Sequence, residues 1–279
     1  MKTRLSILCD NCILGSGFIG EHGFSVLIER DGERSLFDTG PGLSLPLNLK
    51  RFKTDLKGLS RIFISHGHYD HTGGLEYAVG QAGPVEIVAH PDVFARHMVE
   101  DPSRGDTAPR YIGCPFTRES LEAKGARFRF LDHTEEAAPG IWFLAGLNPP
   151  VERRPKDDRL LLEQEGGIGP DLIPDDASLL IQTDTGPILL LGCAHAGVLN
   201  ILDYLEHDMG IHQLHAILGG THLMFYGPEM VPAFAERIRQ FSVSLLAVSH
   251  CTGLGPTLEL ARLLGDRFTI AAVGRVFDF

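Results

Sequence analysis

Apolar positions along the chain fall into short runs bounded by glycine and charged turns, interrupted by longer stretches of helical spacing. Runs at residues 6–8, 24–29 and 35–37 predict strands entered through hairpins. Strands at 62–65 and 85–89 then alternate with helical stretches at 75–78 and 92–99. The second half repeats the scheme. Strands at 178–183 and 187–191 flank the turn Asp184-Thr185-Gly186, helices are expected at 197–206 and 228–240, and 244–249 reads as a buried strand. Two packed sheets with helices outside follow from this order. Ser65-His66 and Ser249-His250 both end apolar strands, which suggests two similar halves that deliver polar side chains to one cleft.

Two segments, 101–120 and 148–178, do not fit this layering. They are rich in proline, glycine and charge, too long for ordinary connections, and read as lid loops over the edge of a site. Arg104, Arg110, Arg153, Arg154 and Lys156 concentrate there. They form either a solvated surface or an anion-binding rim for phosphate or carboxylate, with Arg110, Arg153 and Arg154 as the candidate substrate contacts.

Composition narrows the class. With 279 residues, 43% of them hydrophobic, the chain can bury a large core, and a single α/β domain spanning 1–279 is expected. No apolar run approaches the roughly 18 residues that span a bilayer, and the opening apolar stretch gives way at once to Cys9-Asp10-Asn11. Neither export nor membrane insertion is expected. A formal charge of −11 argues against non-specific nucleic-acid binding, which demands a positive face. Five scattered cysteines suit a reducing cytoplasm better than a disulfide framework, and Cys9-x-x-Cys12, without a second such pair, reads as buried or loop thiols. Homo-oligomerisation is left open.

The most informative segment is Ser65-His-Gly-His-Tyr-Asp-His-Thr-Gly-Gly-Leu75. Four metal-competent side chains, His66, His68, Asp70 and His71, lie within six residues directly after a strand. His66 and His68, two apart, project to one side, while Asp70 and His71 diverge toward a second point. That spacing suits two neighbouring ions better than one. Imidazole and carboxylate donors favour zinc, with iron or manganese as alternatives, over calcium or magnesium. A polar turn holding these residues by chance would have no packing value.

This signature resembles that of the metallo-β-lactamase superfamily, and Leu36-Phe37-Asp38-Thr39-Gly40 resembles its early aspartate motif. Four further segments together resemble the branch typified by dihydropterin-ribofuranosylaminobenzene-phosphate synthases: Glu21-His22-Gly23-Phe24-Ser25, Gly192-Cys193-Ala194-His195-Ala196-Gly197, Gly219-Gly220-Thr221-His222-Leu223 and Ser249-His250-Cys251-Thr252-Gly253. The resemblance implies an αββα sandwich of two mixed sheets and one or two divalent ions. It also implies three later ligands: a histidine, a bridging aspartate and a last histidine.

His250, after the apolar 245–248, is the last of these. Where the first would stand, Ala145-Gly146-Leu147-Asn148-Pro149 offers no imidazole, and His195 is taken in its place. The bridging carboxylate is then unaccounted for. A hydroxide alone, a Cys193 thiolate, or a single tightly held ion would each resolve this. His222 reads more readily as a proton donor or substrate contact than as a ligand. Asp38 is expected to accept hydrogen bonds from the ligand loop, and Cys193, Cys251 and His22 to support the site or serve as alternative ligands. His90 is assigned to the pocket wall, Asp175 and Asp176 to a role like that of Asp38 or to a turn, and His97 to a structural or exposed position.

Ions with an open position lower the pKa of bound water to about 7. The expected activity is therefore hydrolysis of an ester, lactone, amide or phosphate bond in a small anionic molecule by a metal-bound hydroxide, with Asp70 and His222 in catalytic roles. The branch implies an alternative, in which a dihydropterin methyl diphosphate is joined to a ribosylaminobenzene phosphate with loss of pyrophosphate. Redox catalysis of the flavodiiron type is disfavoured because His68 stands where those proteins usually carry glutamate. A binding or sensor protein would be expected to have lost part of the opening cluster, which is complete.

Overall fold

A computed structural model describes residues 2–279, which form two large sheets packed face to face, with a third, smaller sheet over one edge. The first large sheet runs in the order Val276–Asp278, Thr3–Cys9, Ser25–Arg30, Glu33–Phe37, Arg61–Phe63, Val85–Ala89, Ala126–Phe130. Its leading strands are antiparallel, and from Glu33–Phe37 onward every pairing is parallel. The hairpin between the second and third strands turns through Asp31 (φ 49°) and Gly32 (φ 85°). Positive φ at both turn residues matches the twist of the flanking strands, which is why Asp-Gly suits this position.

The second sheet runs Phe268–Ile270, Leu245–Ser249, Ala216–Gly220, Ile188–Leu191, Ser178–Ile181, Ile141–Leu144, Glu135–Ala138. Its first four strands are parallel and the rest antiparallel.

Alternation along the strands builds the layers. Phe37, Phe63 and Val88 of one sheet meet Phe143, Leu179, Leu190 and Leu218 of the other in a buried inter-sheet core. Ile62, Ile64 and Ile87 point the opposite way, against Leu45 and Leu49 of the helix Ser44–Phe52 and Leu75 and Val79 of the helix Leu75–Ala82. On the far side Leu189, Leu191, Ile217 and Leu246 pack on the helices Val198–His207, Met230–Gln240 and Leu254–Leu264. Period-two alternation with apolar residues on both faces is what a sheet covered by helices on one side and a second sheet on the other requires. The result is the αββα sandwich expected from the sequence.

Two expectations are corrected. Residues 92–99 do not form a helix; Pro91–Phe94 is a single 3-10 turn whose N-terminus is capped by the His90 imidazole, and Arg96–Val99 is a strand. Its partner, Leu160–Gln164, lies more than sixty residues away, with Met98 opposite Leu161, and no local pattern could report it. Nor are 101–120 and 148–178 irregular loops. They contribute Arg110–Tyr111, Leu160–Gln164 and Gly167–Pro170, which with Arg96–Val99 make the third sheet, along with the short helix Arg118–Glu122. No helix among the described residues is long and apolar enough to cross a membrane.

The two large sheets touch where their parallel strands end. Gly192, directly after Ile188–Leu191, lies against Ser65, and a Cβ there would collide with Ser65 Oγ and Cβ. Gly192→Ala is expected to destabilise the fold by about 1–3 kcal/mol through overpacking. Urea denaturation of parent and variant checks it; an unchanged midpoint would show that the strand ends do not pack this closely.

Candidate metal centre

Four signature segments leave the C-terminal end of a parallel strand: 65–71 after Arg61–Phe63, 193–195 after Ile188–Leu191, His222 after Ala216–Gly220, and His250 after Leu245–Ser249, whereas the segment of His22 leads into the antiparallel strand Ser25–Arg30. Carboxyl ends of parallel strands are where open α/β sheets place ligands. Backbone strain concentrates at the same place. Asp38, Ala194, His222 and His250, none of them glycine, hold φ of 54°, 57°, 53° and 47°, a conformation that persists only where surrounding contacts enforce it.

Asp38 organises the first segment. Its buried carboxylate accepts the Ser65 N–H and Ser65 Oγ–H, each at 2.7 Å, and contacts His71 Nδ1 at 2.7 Å. A carboxylate can only accept, so Nδ1 of His71 carries the proton and Nε2 presents its lone pair. That Nε2 lies 3.3 Å from Cys193 Sγ and 3.3 Å from His250 Nε2. His250 is oriented in the same way. Its N–H donates to Asp10 Oδ1 at 2.7 Å and its Nδ1 to Asn11 Oδ1 at 2.9 Å, leaving Nε2 3.3 Å from Asp70 Oδ2.

His66 Nε2 and His68 Nδ1 meet at 3.0 Å. The His195 ring stands 4.8 Å from that of His66 and 5.2 Å from that of His68. Donor atoms of His66, His68 and His195 all lie within 4.8 Å of one another, and the same holds for His66, His71 and Cys193, for Cys193, His195 and His222, for Cys193, His250 and Cys251, and for His22, Asp70 and His250. Cys193 therefore lies between the two ends of the cluster, where the sequence left a bridging group unassigned. His22 is more peripheral, its side chain 64% exposed and Nε2 3.4 Å from Asp70 Oδ2. Cys251 donates to the Cys193 carbonyl at 3.5 Å.

Burial and the neighbouring imidazoles push His66 and His195 well below the ordinary histidine range, and burial brings His68 down to about 4. Neutral imidazoles with free lone pairs are the form that binds metal. Burial alone would raise Asp70, yet His71 and His250 hold it well below the usual carboxylate range. His68 Nε2, His195 Nε2 and both ring nitrogens of His222 are buried without a hydrogen-bond partner. Such groups are costly unless paired or coordinated. Clustered neutral imidazoles, one anionic carboxylate and a thiol make a donor set that fits borderline divalent ions.

His222 stacks on Phe225, ring centroids 4.7 Å apart, and its ring lies 4.2 Å from that of His195. Both histidines open into a cavity of about 530 Å³ walled by Val151, Leu160, Leu172, Ile173 and Lys156 among others. The cavity lies between the cluster and the third sheet.

The arginines are arranged otherwise than the sequence suggested. Arg154 is buried, its guanidinium spent on the carbonyls of Pro149 and Leu172 and on Asn148 Oδ1. Arg153 pairs with Asp203 and Arg110 with Asp106. Their guanidiniums are engaged by the chain's own loops, while Arg154 also lines the cavity beside His195 and His222. Lys156, exposed on the cavity wall, is the cation placed to meet a ligand.

Sequence reasoning missed Asp10 and Asn11, although they follow the first apolar strand just as His66 follows its own. It also treated His97 as structural or exposed. His97 is wholly buried between Asp171 and Asp175; burial opposes its charge, but the two carboxylates raise it to about 10. Asp175 accepts the Gly67 N–H at 2.6 Å and Asp176 the Ala196 N–H at 2.9 Å, so each braces a segment carrying clustered histidines.

Comparison with known proteins agrees with this architecture. A family model described as the metallo-beta-lactamase superfamily matches residues 19–216. The chain is 28% identical over 276 residues to the 7,8-dihydropterin-6-methyl-4-(beta-D-ribofuranosyl)-aminobenzene-5'-phosphate synthase of Methanocaldococcus jannaschii, covering 95% of this chain and 92% of that protein. It is 40% identical to the ribonuclease Z of Treponema pallidum over 76 residues, 25% of this chain and 24% of that one. A solved metal-dependent hydrolase of the beta-lactamase superfamily superposes with a TM-score of 0.83 at 24% identity, over 99% of both chains. With the αββα layers, the His-x-His-x-Asp-His turn at a strand end and a family match over most of its length, the chain belongs to the metallo-β-lactamase superfamily.

Proposed function

We propose that this protein is a metal-dependent hydrolase of a small anionic substrate, with two adjacent cation positions. The observation that carries this reading is the pair of donor groups around Cys193. His66, His68 and His195 would hold one ion, and Asp70, His71 and His250 a second, with Cys193 between them and His22 and Cys251 at the margin. Divalent ions bound there, with zinc favoured by the donors and iron or manganese as alternatives, would supply Lewis acidity and a water acidified to about neutrality.

The chain's own residues do the rest. Asp38 and Asn11 accept from Nδ1 of His71 and His250, so both Nε2 atoms face the cluster. Burial opposes charge on His250, but Asp70 raises it to about 9, so an ion held there would displace the proton on its Nε2. Asp70, held anionic by His71 and His250, orients the attacking water. His222 opens to the cavity with both nitrogens uncommitted and delivers a proton or hydrogen bond to the leaving group. The third sheet acts as the lid. Apolar side chains of the cavity wall exclude water, and Lys156 offers an ammonium to a phosphate or carboxylate.

A second reading, in which a dihydropterin is joined through its methyl carbon to a ribofuranosylaminobenzene phosphate as diphosphate leaves that carbon, is favoured by the whole-length similarity to the archaeal synthase. It uses the same donors, with Lys156 and the cations assisting a departing diphosphate. We place either activity in the cytoplasm, on the evidence of five free thiols. The net charge of −11 supports a small-molecule substrate over nucleic acid.

Freshly purified, unchelated protein is expected to carry about one to two equivalents of zinc, iron or manganese. Elemental analysis giving less than about 0.2 equivalents would contradict the reading at its root. Asp70→Asn is expected to abolish turnover while circular dichroism stays unchanged, because an amide cannot supply the anionic donor; retained activity on any substrate found would count against its role. His222→Ala is expected to keep the parent's metal content and lower turnover by about two to four decades, the usual range for a lost acid or oxyanion donor. Loss of one ion with the activity would instead make His222 a ligand.

A further inference from the structure

The lid sheet and the histidine cluster meet at one buried polar junction. His97, on the lid strand Arg96–Val99, contacts Asp171 Oδ2 through Nδ1 at 2.6 Å and lies 3.5 Å from Asp175 Oδ1 through Nε2. The other Asp175 oxygen accepts the N–H of Gly67, the residue between His66 and His68, at 2.6 Å. The His97 ring stands edge-on to His68, with centroids 5.1 Å apart and planes at 85°. A Cβ at Gly67 would overlap the Val93 carbonyl and meet His97 Nε2 at 3.1 Å, so the turn packs directly on this imidazole.

His68 shows why such a junction is needed. Its Nδ1 faces His66 Nε2 at 3.0 Å, and its Nε2 is buried without a hydrogen-bond partner, as are His97 Nε2 and Asp175 Oδ1. Imidazoles that bind metal through one nitrogen are normally oriented through the other by a carboxylate or carbonyl. His71 has Asp38 for this and His250 has Asn11. For His68 no group bonds Nε2; the His97 ring packs edge-on against its ring, and Asp175 holds the N–H of Gly67 directly before it. Asp171, at the other end of the junction, also walls the cavity between lid and cluster.

We propose that His97 and Asp175 are the positioning residues of His68, and that through Asp171 they link the cavity under the lid to the cation position at His66, His68 and His195. The proposal rests on the metal-centre reading above. By linkage, a ligand that presses on Asp171 and an ion at His68 must alter each other's binding by the same factor.

The test is Co(II) titration of metal-free full-length protein, followed by visible absorption, which reports coordination geometry independently of activity. Parent is compared with His97→Gln, Asp175→Asn and the double variant His97→Gln/Asp171→Asn. The double variant removes the imidazole and one facing carboxylate together, so that fewer charges are stranded if His97→Gln alone fails to fold. Co(II) affinity is expected to fall about 10–100-fold, the usual cost of losing an orienting partner, with an altered absorption envelope and unchanged far-ultraviolet circular dichroism. A parent that binds Co(II), together with folded variants that match it in affinity and spectrum, overturns the positioning role and leaves the metal centre standing. A parent that takes up no Co(II) overturns both.

Discussion

A single buried carboxylate, Asp38, organises the centre of this molecule. Fully removed from water, it must find donors, and it finds them in the Ser65 N–H, the Ser65 hydroxyl and His71 Nδ1. Those bonds tie the strand end of Glu33–Phe37 to the turn that follows Arg61–Phe63 and fix which nitrogen of His71 is free. Ser65 in turn abuts Gly192 of the second sheet and hydrogen-bonds His66 Nδ1 at 2.9 Å. The partners that satisfy one charge therefore bring the two sheets together and aim the first imidazoles.

The same economy governs the second sheet. The superfamily pattern calls for a histidine well before the bridging position, and residues 145–149 provide none. His195, two residues beyond Cys193, stands beside His66 and His68 instead. Ala194 between them takes the left-handed conformation at φ 57°, and the reversal it makes lets Cys193 and His195 both turn inward. One strand end thus delivers two donors.

Charge is distributed so that the lid's cations largely serve the lid. Arg154 holds together its own loop, while Arg159 joins Asp101 and Asp157 across two lid segments. In an acidic chain, attraction for an anionic ligand then falls to Lys156 and to whatever cations the histidine cluster holds. The walls around them mix apolar side chains, among them Val151, Leu160, Leu172 and Ile173, with the carboxylates of Glu152, Asp157, Asp158 and Asp171.

Local pattern alone determined the strands at 6–8, 24–29, 35–37, 62–65 and 85–89 of one sheet and at 178–183, 187–191 and 244–249 of the other, the helices after residues 74 and 197, and the density of donors at His66, His68, Asp70 and His71, because alternation, turn chemistry and motif spacing are properties of neighbours in the chain. The outer strands Ala126–Phe130, Glu135–Ala138, Ile141–Leu144, Phe268–Ile270 and Val276–Asp278 were not predicted. His195, His222 and His250 could be nominated because each ends an apolar run, but their meeting at one point depends on strands some thirty to two hundred residues apart lying parallel. The third sheet was not legible: Arg96–Val99 is a strand only because Leu160–Gln164 pairs with it, and proline, glycine and charge disguised both partners. Equally hidden were the uses of Asp10, Asn11 and His97 and the internal engagement of Arg154. A buried polar group acquires its meaning from the partner that satisfies it, and in each of these cases that partner lies on another loop or sheet, brought within reach only when the whole chain has folded.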